Sequence, residues 1–422
     1  MELNEDLVLD IISRLPVKLA LQCRVLSKSF NNKLCEPNVC QSYASRWFQD
    51  QNISKLLIYS SSSLSSSRYE ISNFFCKVYV NPSRDEISTI SPLNVSVLSS
   101  CKGLLLLEFH QLKTFCIFNP ITGMHQLIPY PELRNYFSTR GGGVGLVVDH
   151  PTPNGHYKLV TIGMLNRYEG YKFCVFSSEE AGVVWHEFQL RMDVRGDSLV
   201  NPQPVYVHDC LHWLRNDGSI LAFDTKSSSG KASIFNRPEI ITRYFFDPMY
   251  GIISFPCDAW LGVVRGVLTL VCVFKKFIVI FGYDHVSRNW TVSYTLPNFM
   301  PDLRNYGDDL LKWFDGKKLF FVVNHSASRG ASTGYLYEYD TERKTYEKVD
   351  TLLLDMDSTI FFSFEPTLAN VHKTVLPPYT IHSKHFPAIA TILNEFRYLI
   401  ANYKPRVECV PERAENKFPC NN

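Results

Sequence analysis

The chain has 422 residues, of which 45% are hydrophobic and 14% aromatic, so it can form one large core and a smaller second domain. Its formal net charge is +2, and basic and acidic residues are mixed along the chain. Such a pattern creates no field that would attract nucleic acid or an anionic membrane. We therefore predict a globular protein with neither of these as a partner.

The first residues and the cysteines bear on the compartment. Met1 to Asp6 lack a basic start followed by an apolar run, so no secretory signal is expected. The apolar stretch nearest to a bilayer span, Val263 to Phe281, is interrupted by Arg265, Lys275 and Lys276. The 12 cysteines are scattered without a C-x-x-C pair, which in a reducing compartment indicates free thiols. The predicted location is the cytoplasm, the nucleus or both.

A short amphipathic helix is predicted at the N-terminus. Asn4 can cap it through its side-chain oxygen, and Glu5 and Asp6 place negative charge where the helix dipole favours it. Pro16 disfavours helical geometry at Leu15 and so ends the helix. One apolar stripe at helical spacing contains Leu7, Val8, Ile11, Ile12 and Leu15.

Two further short helices are predicted to follow. Pro16 can be the first residue of the second helix, Ser27 can cap the third, and Pro37 stops it. Three short helices in about 40 residues form a core near or below self-supporting size, so their apolar faces are expected to need a partner. The alternative is the first bundle of a larger helical domain, but almost no helical periodicity follows before Phe386.

The order of these residues resembles the F-box of plant F-box proteins. The matching segments are Leu7-Val8 with Ile11-Ile12, Ser13 to Lys18, Arg24, and Ser27 to Asn31. The resemblance implies docking onto a Skp-type adaptor and, through it, onto a cullin ubiquitin ligase. The adaptor-binding residues that it implies are Asp6, Leu7, Ile11, Leu15, Pro16, Val17, Leu21, Arg24, Ser27, Lys28 and Phe30.

Three positions depart from the usual pattern of that family. The chain has Leu3-Asn4 where the family usually has Leu-Pro, Phe30 where it has Trp, and Gln22 where it has Arg. These changes weaken the expected contact with the adaptor but keep its apolar character.

Beyond Trp47 the periodicity changes from helical to short extended runs, and two marks repeat among them. The first is an apolar run that ends in an aromatic residue and a turn former, at intervals of 47 to 60 residues. It occurs at Phe118-Asn119, Phe176-Ser177, Phe223-Asp224, Tyr283-Asp284 and Tyr339-Asp340. The second is a small residue followed by a hydrophobic strand, at Gly103 to Leu107, Cys210 to Trp213, Gly266 to Leu270 and Gly316 to Phe321.

Each unit therefore predicts a buried strand, a middle strand that ends at the aromatic residue, a turn and an outer strand. The outer-strand candidates are Met124 to Ile128, Trp185 to Leu190, Trp290 to Leu296 and Thr345 to Leu352. A period of about 50 residues with four strands per unit is typical of a kelch-type propeller, and residues 53–375 leave room for about six units. Closing the ring removes exposed sheet edges. The alternatives are an open sandwich and two separate barrels.

The same region resembles the kelch-like F-box-associated domain of plant F-box proteins. The residues that carry the resemblance are Phe118-Asn119-Pro120 with Thr122-Gly123, Tyr157 to Val160, Leu211-His212-Trp213, Ala222-Phe223-Asp224 and Asp315 to Leu319. The run Gly141 to Gly145 departs from the family's aromatic-glycine alternation. The sequence therefore does not determine where the first strand of that unit lies. Gly141 to Gly145 lacks the Lys-Ser/Thr ending of a phosphate-binding loop, so a loop or the start of a strand is expected there.

Two further groups of side chains have a chemical and a structural interpretation. His208, Cys210 and His212 are metal-competent, and strand alternation would place them on one face, about 7 Å apart at each step, which is too wide to enclose one ion. We therefore predict no metal and no cofactor. The sequence leaves a cysteine nucleophile open, because catalytic partners meet only in the fold. The alternating Tyr335, Tyr337, Tyr339 and Tyr346 are expected to pack within hairpins rather than to stack on nucleic acid bases.

These patterns predict an α+β multidomain chain. Its expected parts are a three-helix F-box at residues 1–48, an all-β kelch-like propeller at residues 49–375, and a C-terminal helix with a mobile tail at residues 376–422. The resemblance implies a non-enzymatic substrate-recognition subunit of a Skp-cullin-F-box ubiquitin ligase, with a target protein that the sequence does not identify. Two alternatives are a kelch-type oxidoreductase and an F-box scaffold that acts outside the ligase.

Overall fold

The computed structural model describes residues 5–34, 56–61, 68–72, 95–131, 143–192, 199–239, 258–297, 311–325, 333–353, 360–364 and 385–401, with short gaps in several ranges and a few isolated residues besides. The three predicted N-terminal helices are confirmed as α1 (Glu5–Ser13), α2 (Val17–Cys23) and α3 (Lys28–Leu34). Ser27 caps α3, because its Oγ accepts the N–H of Phe30 at 3.1 Å.

The strands form six sheets, which we number in chain order. Sheet I contains β1 (Leu56–Ser61), β2 (Arg68–Ser72) and β23 (Ile360–Phe364). Sheet II contains β3 (Val95–Cys101), β4 (Leu104–Phe109), β5 (Thr114–Phe118) and β6 (His125–Pro129). Sheet III contains β7 (Gly143–Val147), β8 (Lys158–Met164), β9 (Gly170–Ser177) and β10 (Trp185–Arg191).

The remaining three sheets repeat this four-stranded order. Sheet IV contains β11 (Val205–Val207), β12 (Cys210–Leu214), β13 (Ile220–Asp224) and β14 (Ala232–Phe235). Sheet V contains β15 (Asp258–Val264), β16 (Val267–Val273), β17 (Phe277–Asp284) and β18 (Asn289–Pro297). Sheet VI contains β19 (Leu311–Phe314), β20 (Lys318–His325), β21 (Thr333–Asp340) and β22 (Thr345–Leu353).

The sheets are arranged in a closed ring. The strands β3, β7, β11, β15, β19 and β23 each lie at one end of their sheet and contact one another in that order, and β23 contacts β3 again. The prediction of a kelch-type β-propeller with about six units is therefore confirmed, with five four-stranded sheets and one three-stranded sheet in the described part of the chain. The ring contradicts the open sandwich and the two barrels.

Sheet I is built from both ends of this ring. β1 pairs antiparallel with β2 on one side and with β23 on the other, so that Ile58 faces Ile71 and Phe362. β23 is therefore the innermost strand of a sheet whose other described strands come from the beginning of the propeller. This pairing removes the free sheet edges that an open array would leave at the junction.

The aromatic-turn mark has a physical explanation in sheet II. Phe118 ends β5, and Asn119 begins the turn to β6. The Oδ1 of Asn119 accepts the N–H groups of Ile121 at 2.9 Å and Thr122 at 3.2 Å, so the side chain replaces the strand partners that the backbone loses. Gly123 closes the turn at φ +74, a conformation that glycine adopts without strain.

Aspartates have the same role in three other sheets. Asp224, Asp284 and Asp340 follow or end the third strand, and Oδ1 of each accepts a backbone N–H two residues later. In sheets V and VI the residue in the position of Gly123 is Arg288 at φ 55 and Lys344 at φ 56. The marks predicted from the sequence are thus side-chain caps on the last hairpin of each unit.

The described part of the glycine run, Gly143 to Gly145, begins the innermost strand of sheet III, which agrees with the second of the two expectations, the start of a strand. Gly143 opens β7, and an added Cβ at Gly145 would lie 2.7 Å from Cγ of Pro204 and 2.8 Å from Cδ1 of Leu211. Pro204 directly precedes the first strand of sheet IV, and Leu211 lies in its second strand. Gly145 therefore lets two sheets pack closely, which explains this departure from aromatic-glycine alternation.

We expect Gly145→Ala to destabilise the fold by about 1–3 kcal/mol, because its methyl group overlaps Pro204 and Leu211. The matched control is Gly282→Ala in β17, where the nearest atom to an added Cβ is Oγ of Ser293 at an ordinary 3.4 Å. Urea unfolding of both variants measures the difference. Equal unfolding midpoints would contradict a close approach at Gly145.

The hydrophobic core lies between neighbouring sheets. Phe173 of sheet III stacks on Phe223 of sheet IV with ring centroids 4.6 Å apart, and Trp213 lies beside them, fully buried. The second and third strands of sheet II and the third strand of sheet IV are buried on both faces, which explains why they are apolar at nearly every position.

The predicted C-terminal helix is α4 (Phe386–Ala401). Ile389, Leu393 and Phe396 are buried, and an added Cβ at Gly123 would lie 3.1 Å from Nη1 of Arg397. The helix thus packs against the last turn of sheet II. None of the helices that the structure describes is both long and apolar enough to cross a membrane. The domain boundaries at residues 48 and 375 stay predictions.

Candidate functional site

The first candidate surface is an exposed apolar area on α1 and α2. Ile12 and Ala20 are buried where the two helices meet, as the amphipathic pattern predicts. Leu7, Ile11 and Leu19 remain 52%, 50% and 46% exposed. We call these three residues the N-terminal apolar surface. Leu7 and Ile11 are one helical turn apart, so their side chains lie next to each other on α1.

The other predicted adaptor-binding residues have different placements. Leu15 and Phe30 are half-buried, and Lys28 is exposed at the start of α3. Ser27 caps α3 and so has a structural role of its own. The side chains of Asp6, Pro16, Val17, Leu21 and Arg24 lie outside the described residues. Of the predicted set, the structure brings together Leu7 and Ile11 as an exposed pair.

The prediction that His208, Cys210 and His212 lie on one face of a strand is wrong for His208. Val207 pairs with Cys210, so His208 and Asp209 form a two-residue turn between β11 and β12. Both have left-handed backbones, with φ 49 and φ 62. This turn type matches the twist of a hairpin, and the local alternation of side chains ends where the turn begins.

A third histidine joins this cluster from the neighbouring sheet. The ring of His285, in the turn between β17 and β18, lies 3.8 Å from the ring of His208 and 6.3 Å from that of His212, centroid to centroid. Nδ1 of His212 lies 3.3 Å from the carbonyl oxygen of Val205. The part of the chain that the structure describes contains no group of three or more histidine, cysteine, aspartate or glutamate side chains arranged to hold a metal. His285 was missed because only the packing of sheet V against sheet IV brings the two turns together.

Burial determines the protonation of this cluster. It lowers the pKa of His212 to about 4, and it also lowers the pKa of His285, with His208 as the next cause. Burial raises the pKa of Cys210 to about 11, with Asp224 and Asp209 adding to the effect. Cys210 is therefore a protonated thiol at neutral pH rather than the thiolate that nucleophilic catalysis requires.

The second candidate surface is a groove between sheets IV and V with a volume of about 1720 Å³. One side is β14 with residues 236–239, and the other is the hairpin of β17 and β18. We call it the inter-sheet groove. Its aromatic wall contains Phe235 and Tyr283, stacked with centroids 5.2 Å apart and planes within 2°. Trp290 extends this wall, and its Nε1–H donates to the carbonyl oxygen of Asn236 at 3.0 Å.

The charged residues of the groove differ in their partners. Oδ1 of Asp217 accepts the N–H and the hydroxyl of Ser219, at 2.9 and 2.6 Å. Oδ1 of Asp224 accepts two backbone N–H groups of its own turn. Arg237 donates to the carbonyl oxygen of Asp217 at 2.8 Å. The acidic side chains Asp217 and Asp224 are thus engaged within their own turns.

Comparison with known proteins places this architecture among relatives, although no family model matches the chain. An F-box/kelch-repeat protein of Arabidopsis thaliana is 31% identical over 153 residues, which cover 34% of this chain and 33% of the relative. A second F-box/kelch-repeat protein of that plant is 24% identical over 305 residues, 64% of this chain and 66% of the relative. An F-box protein of the same plant is 30% identical over 147 residues, 32% of this chain and 45% of the relative.

The chain is similar to F-box/kelch-repeat proteins of Arabidopsis thaliana. Its matches span between a third and two thirds of the length of these F-box relatives. The three N-terminal helices followed by a propeller agree with the two parts that the name F-box/kelch-repeat describes. Among solved structures, the WD40 domain of SCAP from fission yeast aligns with 70% of this chain and 83% of that chain, at 10% identity and a TM-score of 0.33. A likeness this weak carries no inference about function.

Proposed function

We propose that the chain is the substrate-recognition subunit of a Skp-cullin-F-box ubiquitin ligase. In this proposal residues 1–48 bind a Skp-type adaptor, residues 49–375 bind a target protein, and the chain performs no catalysis of its own. The adaptor links the chain to the cullin. The oxidoreductase alternative gains no support from the described residues, where Cys210 is a protonated thiol and His212 is buried as a packing residue.

The observation that carries the proposal is the N-terminal apolar surface. Leu7, Ile11 and Leu19 are about half exposed on helices whose order matches the F-box. Apolar side chains that stay exposed next to one another mark an interaction surface when they form a patch rather than single residues. A helical adaptor groove can bury the exposed half of each of these side chains, which contributes about half of the roughly 1.5–3 kcal/mol for full burial.

The direct test replaces Leu7 and Ile11 together with glutamate. Both side chains are about half exposed, and glutamate is a good helix former, so α1 is expected to stay folded. Loss of two buried apolar side chains should weaken adaptor binding by about a hundredfold or more. Isothermal titration of the purified chain with a Skp-type adaptor measures the affinity.

The control for this test is Val286→Glu in the turn between β17 and β18. Val286 is 95% exposed and belongs to the turn between β17 and β18 rather than to α1, so its replacement adds one negative charge outside the N-terminal apolar surface and should leave adaptor affinity unchanged. Unchanged binding by the Leu7→Glu and Ile11→Glu variant would contradict the proposal. Adaptor binding without cullin in a co-purification would instead support a scaffold outside the ligase.

A further inference from the structure

The inter-sheet groove has the size and the strand edge of a site for an extended chain. Its volume of about 1720 Å³ exceeds the roughly 300–1,000 Å³ of typical small-molecule pockets. All four residues of β14 line it, and β14 is an outermost strand, bonded only to β13 among the described strands. The backbone of such an edge strand offers hydrogen bonds to a peptide that lies alongside it.

The charges of the groove select the chemistry of that peptide. Lys231 and Arg288 line the groove and are exposed, and neither forms an ion pair with a carboxylate within the described ranges. The carboxylates of Asp217 and Asp224 are engaged by their own turns, as described above. Lys231 and Arg288 are thus the cations of the groove that can pair with a ligand, while Asp217 and Asp224 keep their charge within their turns and Glu239 adds a third carboxylate to the lining.

Arg288 is also held in position by its turn. Asp284 accepts the N–H of Val286 at 2.9 Å and the hydroxyl of Ser287 at 2.7 Å, which fixes the turn that places Arg288 at φ 55. Tyr283 precedes this turn and Trp290 follows it, so the aromatic wall and the cation belong to one hairpin. Because this hairpin is already ordered, the protein loses less conformational entropy when a peptide binds.

We propose that the inter-sheet groove binds an acidic peptide segment of a target protein, extended along β14. An apolar side chain of the peptide packs on Phe235 and Trp290, and its carboxylates contact Lys231 and Arg288. The proposal rests on the proposed function, since it names the chemical class of the target segment. The site lies between two sheets, on a side of the ring.

The experiment uses the purified full chain and a fluorescein-labelled peptide of about ten residues, with one central phenylalanine flanked by glutamates. Fluorescence anisotropy measures its binding beside the same peptide with glutamines. We expect the glutamine peptide to bind roughly fivefold or more weakly, because the two contacts with exposed cations lose their charge. The variant with Arg288→Asn and Lys231→Gln should bind the glutamate peptide roughly fivefold or more weakly.

The control variant is Lys344→Asn. Lys344 occupies the turn position of Arg288 in sheet VI, with a nearly identical φ of 56 against 55, and it lies outside the groove. Asparagine tolerates this backbone conformation in both variants, so the comparison isolates the position of the charge. Lys344→Asn should leave binding unchanged.

Three results would overturn the proposal. The first is that the normal chain binds the glutamate peptide no more tightly than the glutamine peptide, or that the double variant binds the glutamate peptide as tightly as the normal chain does. The second is binding only after residues 240–257 are replaced by a short linker, which would mean that the chain fills its own groove. The third is a dimer that the double variant abolishes, which would identify a second copy as the occupant. No adaptor is present, so these outcomes are independent of the F-box test.

Discussion

A chain that ends at residue 359 is expected to lose cooperative folding and to aggregate. It lacks β23 (Ile360–Phe364), the innermost strand of sheet I, which pairs with β1 and contacts β3 and β19 in the ring. Removing it exposes the backbone of β1 and leaves β3 and β19 without their common neighbour. Unpaired strands of this kind associate with other chains, and a ring with one missing member also loses the packing on both sides of the gap.

The measurement is size-exclusion chromatography combined with thermal unfolding. The control is a chain that ends at Ala401, which retains every described strand and α4 and is expected to stay monomeric with a single unfolding transition. Because the shorter chain also lacks α4, Ile58→Pro in the full chain provides a second variant. Ile58 faces partners on both sides, and proline removes one of its ladder hydrogen bonds. A monomeric, cooperatively unfolding chain ending at residue 359 would contradict ring closure by β23.

Acid is expected to destabilise the propeller through His212. Burial lowers the pKa of His212 in the folded chain to about 4, whereas the unfolded value is about 6.5. Above pH 6.5 the imidazole is neutral in both states, and its contribution to stability is fully present. As the pH falls from 6.5 towards 4, the unfolded chain binds a proton that the folded chain excludes, so the free energy of unfolding decreases by up to about 3 kcal/mol.

The environment of His212 supports this direction. His208 and His285 face it, and their protonation would add positive charge next to a buried ring. Asp284 opposes the effect at His285 by raising its pKa, although burial and His208 still lower it. Nε2 of His212 is buried and lacks a hydrogen-bonding partner among the described residues, so nothing near this atom favours its protonation.

Urea unfolding at several pH values between 4 and 7 tests the prediction. His212→Phe should flatten the decrease in stability below pH 6.5, because phenylalanine cannot bind a proton and can pack beside Phe235, whose ring lies 5.7 Å from that of His212. The control is His110→Gln in sheet II, an exposed histidine far from the cluster in the ring. A decrease that persists in His212→Phe and disappears in His110→Gln would count against the buried imidazole as its cause.

Much of the fold could be predicted because its signals are local. The cap of Ser27, the stripe of α4 and the turn after Phe118 all depend on residues within a few positions of one another. The second and third strands were located because they are apolar throughout, as for β13 and β5.

The features that were not predicted depend on residues far apart in the sequence, or lie in strands that contain both buried and half-buried residues. The innermost strands are less uniformly buried, and β3 alternates buried and half-buried positions while β11 has three residues, so neither resembles an apolar run. The pairing of β1 with β23 arises only when the ring closes, and the approach of His285 to His208 requires sheet V to pack against sheet IV. The inter-sheet groove is also formed by two sheets, and no single segment of the sequence encodes it.

The pairing of Leu56 with Phe364 also sets a delay during synthesis on the ribosome, since Phe364 is translated roughly 300 residues after Leu56. At about 5–20 residues per second, β1 emerges roughly 15–60 seconds before the strand that completes its sheet. Throughout this interval the nascent propeller has an open seam, and a ribosome that stalls before Ile360 leaves it open permanently. An unfinished copy therefore exposes strand edges that a finished copy pairs, and these edges are what chaperones that bind exposed strands would recognise.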